Sequence, residues 1–89
     1  MTIHEVSLAT GVSESTIRRH ISLGWLEAER DKAGKWDIST GECYSWAKVC
    51  WDTGRYYMHD PQWIYNYLTE FHDPIERRNR LRKRSIFEK

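Results

Sequence analysis

Thr2-Ile3-His4-Glu5-Val6, then Gly11-Val12-Ser13-Glu14-Ser15-Thr16-Ile17-Arg18-Arg19-His20, then Gly24-Trp25-Leu26, is the stretch that decides the fold. It reads as two short helices joined by a tight turn. Thr2 with Glu5 fits a capping box, in which hydroxyl and carboxylate satisfy backbone N–H groups left open at a helix start. Ile3, Val6 and either Ala9 or Thr10 then share one face. Gly11 ends that helix, since glycine takes a left-handed backbone at little cost. Ser13 is a good N-cap for the second helix. On that phase Ile17 and Ile21 face the first helix. Glu14, Ser15, Arg18 and Ser22 point outward, with Arg19 at the margin. Gly24 stops the second helix. A short helix with polar and basic side chains outward is how a compact domain enters the DNA major groove.

Here a family resemblance becomes specific. Gly11-Val12-Ser13-x-x-Thr16-Ile17-Arg18, followed by Gly24-x-Leu26, resembles the MerR-type winged helix-turn-helix, a superfamily that includes phage excisionases. The resemblance implies that Thr16 to Arg18 lie on the recognition helix and that Arg18 contacts DNA. It puts Arg19 against the phosphate backbone, where MerR proteins usually carry Tyr. His20 falls on a commonly aromatic position that packs inward. Ile21 is a departure, since MerR proteins usually carry a polar residue there. The resemblance covers residues 2 to about 72, and its motif content fades after Leu26.

The segment after Gly24 reads as a hairpin. Trp25 to Arg30 is a strand candidate and Asp31-Lys32-Ala33-Gly34 a turn, with glycine where a positive φ is often needed. Lys35 to Ile38 returns as a second strand, with Trp36 and Ile38 on one face. Arg30, Lys32 and Lys35 mark it as a basic wing touching phosphates or entering the minor groove. The plainer reading is a solvated hairpin tip. The adjacent helix pair favours the wing.

Ser39-Thr40-Gly41-Glu42 repeats the capping logic and opens a third helix, with Cys43, Trp46, Ala47 and Cys50 as its apolar stripe. It ends near Asp52-Thr53-Gly54. Asp60-Pro61 opens a fourth, Asp as N-cap and Pro at the first helical position. Trp63, Ile64, Tyr67, Leu68 and Phe71 form its apolar face. Asp73-Pro74 signals a further helix start. Arg77, Arg78, Arg80, Arg82, Lys83 and Arg84 then crowd together, broken only by Asn79 and Leu81. Three readings of this tail stand: it follows a DNA backbone and releases counterions, it meets an acidic protein surface, or it is a solubilising terminus. Ile75, Ile86 and Phe87 give it a weak apolar face that orders on binding.

The expected fold is therefore mainly α with a small β-hairpin wing: a winged helix-turn-helix plus C-terminal helices. Residues 1–54 form the DNA-binding unit, 55–72 an aromatic-rich packing helix of the same domain, and 73–89 a basic helix or tail. The chain of 89 residues supports one small core. That core is expected to hold Ile3, Val6, Val12, Ile17, Leu23, Trp25, Leu26, Trp36 and Ile38 beneath the second helix, with Trp46 also inside. Trp51, Tyr56, Tyr57, Trp63 and Tyr65 are open between core and a self-association or partner surface. Net charge is only +1, so the basic tail is offset by acids such as Glu27, Glu29, Asp31, Asp37 and Glu42, and the molecule is polarised rather than neutral.

An enzyme is not expected. The sequence holds no glycine-rich phosphate loop and no nucleophile elbow. Cys43, Cys50, His59 and His72 match no usual zinc spacing, so no metal is assigned, and no cofactor or small-molecule ligand is expected. His4 reads as a helix-surface residue and His20 as a packing residue. Two cysteines on one helix do not suggest a structural disulfide. No run suits a membrane span and no signal peptide is legible, so a cytoplasmic, nucleoid-associated place in a bacterial or phage-infected cell is expected.

The candidate DNA-binding residues are Ser13, Glu14, Ser15, Thr16, Arg18, Arg19, Ser22, Arg30, Lys32, Lys35 and the tail cations Arg77, Arg78, Arg80, Arg82, Lys83 and Arg84. The expected partner is double-stranded DNA, with a site-specific integrase and a second copy of the chain as further partners. The resemblance implies an excisionase-type recombination directionality factor that binds and bends DNA. A small transcription regulator and a phage DNA-packaging recognition subunit are the alternatives, because all three use the same recognition helix.

Overall fold

Each helix among the described residues begins on a polar side chain that closes its first turn. A computed structural model describes residues 1–71, in the order α1 (Ile3–Thr10), α2 (Glu14–Ser22), β1 (Glu29–Arg30), β2 (Trp36–Asp37), α3 (Thr40–Thr53) and α4 (Pro61–Phe71). Thr2 Oγ1 accepts from the Glu5 N–H at 3.1 Å while Glu5 Oε1 accepts from the Thr2 N–H at 2.7 Å, completing the capping box. Ser13, Ser39 and Asp60 side chains accept from the N–H groups of Thr16, Glu42 and Trp63 at 3.3, 3.1 and 2.9 Å. The fold is thus mainly helical, with one two-stranded antiparallel hairpin.

The turn between α1 and α2 is held from outside as well as by its own glycine. Gly11 has φ +82°, where a side chain is strained, and a Cβ there would lie 3.4 Å from His59 and Met58. The His59 N–H donates to the Thr10 carbonyl at 2.8 Å, so the loop before α4 closes over this turn. Inside it, Thr10 Oγ1 donates to the Val6 carbonyl at 2.8 Å and accepts from the Val12 N–H at 3.2 Å. α1 packs on α2 and α4, and α3 on α4.

One core joins the four helices. Ile3, Val6 and Ala9 of α1, Ile17 of α2, Cys43, Trp46, Ala47 and Cys50 of α3, and Ile64 and Leu68 of α4 are buried, together with Val12, Leu26 and Ile38 from the connecting segments. Thr10 is buried beside Ala9, so the first helix turns both inward. Each fully buried aliphatic side chain of this kind stabilises by about 1.5–3 kcal/mol relative to its exposed state.

Several expectations need correction. The strands are shorter than Trp25–Arg30 and Lys35–Ile38. The N–H groups of Trp25 and Leu26 both donate to the His20 carbonyl, closing the end of α2 instead of joining a ladder. On the other strand the pairing ends at Asp37: the Ile38 N–H donates to the Met1 carbonyl, and Ser39 leaves to cap α3. Leu23 and Trp25 are not core: Leu23 caps α2, Gly24 reverses the chain at φ +79°, and Trp25 is left 62% exposed. Trp36 is only half-buried. On α4, Ile64 and Leu68 point inward, whereas Trp63 and Phe71 are exposed. Of the aromatics left open, Trp51 and Tyr57 are exposed and Tyr56 and Tyr65 half-buried. His72, the helix start at Asp73-Pro74 and the basic run Arg77 to Arg84 lie outside the described residues. Among the described residues, no helix is long and apolar enough to cross a membrane.

Candidate nucleic-acid interface

The outward face of α2 is as the helix phase requires. Ile17 and His20 are buried, Ile21 is half-buried, and Ser13, Ser15, Arg18, Arg19 and Ser22 are exposed, with Glu14 and Thr16 between. Not every polar group on this face is uncommitted. Ser13 Oγ caps the helix and also donates to Thr16 Oγ1 at 2.9 Å. Ser22 Oγ turns back to the Arg18 carbonyl at 3.1 Å. Arg18 reaches outward, its guanidinium 3.6 Å from Glu14 Oε1 one turn earlier. Such an exposed pair adds only about 0.3–0.5 kcal/mol to stability, so its effect is on where the guanidinium points.

Glu14 is shared. Its other oxygen, Oε2, lies 3.1 Å from His4 Nδ1 on α1. His4, Glu14 and Arg18 therefore form a chain across the two helices. His4 read in the sequence as a surface residue only. Its partner lies ten residues away, a contact that the helix crossing creates and no local pattern announces.

The hairpin completes the surface. Asp31 builds its tip: Asp31 Oδ1 accepts from the N–H groups of Ala33 and Lys35, both at 2.9 Å, and its own carbonyl accepts from the Gly34 N–H at 2.9 Å. Arg30 lies opposite Trp36, its guanidinium 4.1 Å from the ring centroid, and it donates to the Gly34 carbonyl at 2.7 Å. Arg30 thus stiffens the hairpin as well as charging it. Lys32 and Lys35 are exposed at the tip. Thr2, His4, Glu14, Arg18, Lys35 and Trp36 border one open groove, which brings the α2 face and the hairpin together.

Charge is divided along the hairpin. Cations stand at its tip, while Glu29 and Asp37 face each other across its base, where Glu27 and Glu42 border the same hollow. The α-amino group of Met1 donates to Asp37 Oδ1 at 3.1 Å and to the Ile38 carbonyl at 2.6 Å. The Ile38 N–H returns a bond to the Met1 carbonyl at 2.8 Å, so the chain start pairs with Ile38 just after β2. A polyanion would meet the tip and be repelled by the base.

Behind the α2 face sits His20. Trp46 Nε1–H donates to His20 Nδ1 at 2.9 Å, and indole is only a donor, so Nδ1 is unprotonated. The ring proton sits on Nε2 and is given to the Tyr56 hydroxyl at 2.9 Å. Trp25, Trp46 and Tyr56 also meet the imidazole edge-on, with centroids 5.0, 5.5 and 5.2 Å away. Burial, with help from the Arg19 charge, holds the imidazole below its ordinary pKa, so it stays neutral. The end of α2 is thereby tied to α3 and to the segment before α4.

The cysteines offer no reactive centre. Burial pushes the Cys43 thiol up to about 12 and the Cys50 thiol to about 11. No group of three or more His, Cys, Asp or Glu side chains among the described residues could hold a metal ion. No family model, no curated protein and no solved structure matches the chain.

Proposed function

We propose that this chain binds double-stranded DNA in a sequence-specific way, as a winged helix-turn-helix of the MerR and excisionase type. One observation carries the reading: the outward face of α2 and the basic hairpin tip border a single groove, with Arg18 on one side and Lys35 on the other. On this reading α2 enters the major groove and Arg18 reads a base edge. Its fork suits guanine O6 and N7, and Glu14 lies beside it one turn earlier. Arg19, Lys32 and Lys35 meet phosphates and fix the register. The acidic hairpin base stays away from the duplex, which sets the direction of docking. The tail cations Arg77, Arg78, Arg80, Arg82, Lys83 and Arg84 add affinity without sequence preference.

The biological role that the sequence resemblance supports best is that of a recombination directionality factor, which bends DNA to direct an integrase. Footprinting on the DNA flanking the gene, with and without a candidate integrase, tests it. Phased tandem sites beside a recombination junction are expected. A single promoter operator would make the protein a transcription regulator, and a packaging site would make it a packaging subunit. Absence of any protected sequence would refute the DNA-binding reading itself.

A further inference from the structure

A groove runs along one side of α3, between Trp25 just past α2 and Tyr56 just past Gly54. His20, the α2 residue that borders it, is two positions from Arg18 and so about 200° around the helix. The groove is thus turned away from the outward face of α2. Trp46 and Cys50 are buried at its floor, while Trp25 and Val49 on its rim are 62% and 63% exposed. Exposed apolar surface that is contiguous, rather than scattered, marks a contact site. The two ends of the groove carry opposite charges. Glu42 stands in the first turn of α3 and Arg55 just past its last turn. From Glu42 to Thr53 the helix rises about 16 Å, at 1.5 Å per residue. Neither the Glu42 carboxylate nor the Arg55 guanidinium has a hydrogen-bond or ion-pair partner among the described residues. An anion, an apolar middle and a cation in a row call for an extended occupant with the inverse order.

We propose that the occupant is the chain's own segment Arg84-Ser85-Ile86-Phe87-Glu88, laid along α3 with Arg84 at Glu42 and Glu88 at Arg55. These five residues lie outside the described ones, and three features select them. The first is order: a cation, then two apolar residues, then an acid, the inverse of the groove. The run Arg77 to Lys83 holds cations and no acid, so Arg55 repels it, and a wholly apolar segment leaves both end charges unpaired. The second is length. Arg84 to Glu88 extended covers about 13 Å, and two long side chains close the rest of the distance. Ile86 and Phe87 then turn to opposite sides, one to the floor and one to the rim. The third is reach. From Phe71 to Arg84 the chain can span about 43 Å, and α4 packs directly on α3. A linker of that length sets an effective concentration on the order of millimolar, so a contact too weak to bind between molecules is filled within one. The inference does not depend on the DNA-binding reading. On that reading, the duplex and the groove compete for Arg84.

The test uses the full chain carrying Lys89→Cys, labelled with a nitroxide thiol reagent. Cys43 and Cys50 are buried and do not compete for the label. Paramagnetic broadening of backbone amides is read by NMR without DNA, and circular dichroism checks each fold. The label should broaden Thr53, Arg55 and Tyr56 most, to an extent independent of protein concentration, and leave Ser15 and Arg18 of the outward α2 face little changed. Ile86→Asp/Phe87→Asp should at least halve that broadening. Glu42→Arg should do the same, and adding Arg84→Glu to it should restore the effect, since the end pair is then reversed but intact. A label that broadens no groove amide would overturn the proposal, and the groove would then belong to a peptide of another protein. Broadening that survives undiminished in the folded apolar and charge variants would overturn it too. So would a charge-swapped pair that recovers nothing, or broadening that grows with protein concentration, which would place the segment in another copy.

Discussion

Replacing His20 tests how α2 is held. In His20→Ala the Trp46 indole N–H loses its acceptor inside the protein, which costs about 1–3 kcal/mol. Three edge-on ring interactions go as well, each worth about 0.5–1.5 kcal/mol, although such terms do not add fully. A net loss of about 3–4 kcal/mol is expected, a large share of the stability of so small a domain. His20→Gln is the informative partner, since an amide can accept from Trp46 and donate to Tyr56 without titrating. It should lose only about half as much. The pH dependence follows from the same interactions. In the unfolded chain His20 titrates at its ordinary value of 6.5, and in the fold it titrates lower. Between those two values the unfolded chain holds more protons, so stability rises with pH there. The full contribution is present above 6.5. It is lost as pH falls through 6.5 toward the lowered native value, at up to about 1.4 kcal/mol per pH unit. Urea denaturation of wild type and His20→Gln at pH 7.5 and 5.5, with His20→Ala alongside, reads both effects. If the two variants lose the same stability, or His20→Gln keeps the full pH dependence of wild type, the account of His20 is wrong.

Ile17→Ala, at a fully buried position of α2, should cost about 2–5 kcal/mol in denaturant unfolding; a loss under 1 kcal/mol would contradict its place beneath the outward face. Cys43 and Cys50 should resist iodoacetamide in native protein at pH 8 and react at once in urea, and rapid native labelling would argue against their burial. Removing residues 76–89 should weaken binding to specific and random DNA by similar factors. It should also flatten the dependence of log K on log salt, by about 0.9 for each phosphate the tail no longer neutralises; an unchanged slope without biological activity would assign the tail to a protein partner.

What the sequence made legible was what depends on neighbours along the chain. Thr2 with Glu5, Ser13, Ser39, and Asp60 with Pro61 announced the helix starts, because caps are made within three residues. The phase of α2 followed from Ile17 and Ile21, and with it the exposure of Arg18. What depends on distant partners was hidden. Trp25 looks like core on composition, yet its N–H is committed to the His20 carbonyl and its ring rests on the outside of the imidazole. The pairing of Glu14 with His4 and the seating of Arg30 on Trp36 require the helix crossing and the hairpin register. On α4, the four-residue repeat of rings read as a single apolar face. Packing against α1 and α3 buries the Ile64 and Leu68 stripe and half-buries Tyr65 and Tyr67, and it leaves Trp63 and Phe71 outside.

The central claim is that the outward face of α2 reads base edges, and Arg18→Ala examines it most directly. A duplex is selected from a random pool with wild-type protein, and both proteins are titrated against it and against each of its single-base variants at fixed salt. The side chain is exposed, so the variant should fold with unchanged stability. It should bind the selected duplex about 1–3 kcal/mol more weakly and lose discrimination at one base position, while its affinity for random DNA changes little. Wild-type affinity and an intact base preference in Arg18→Ala would contradict the assignment of α2 as the reading helix.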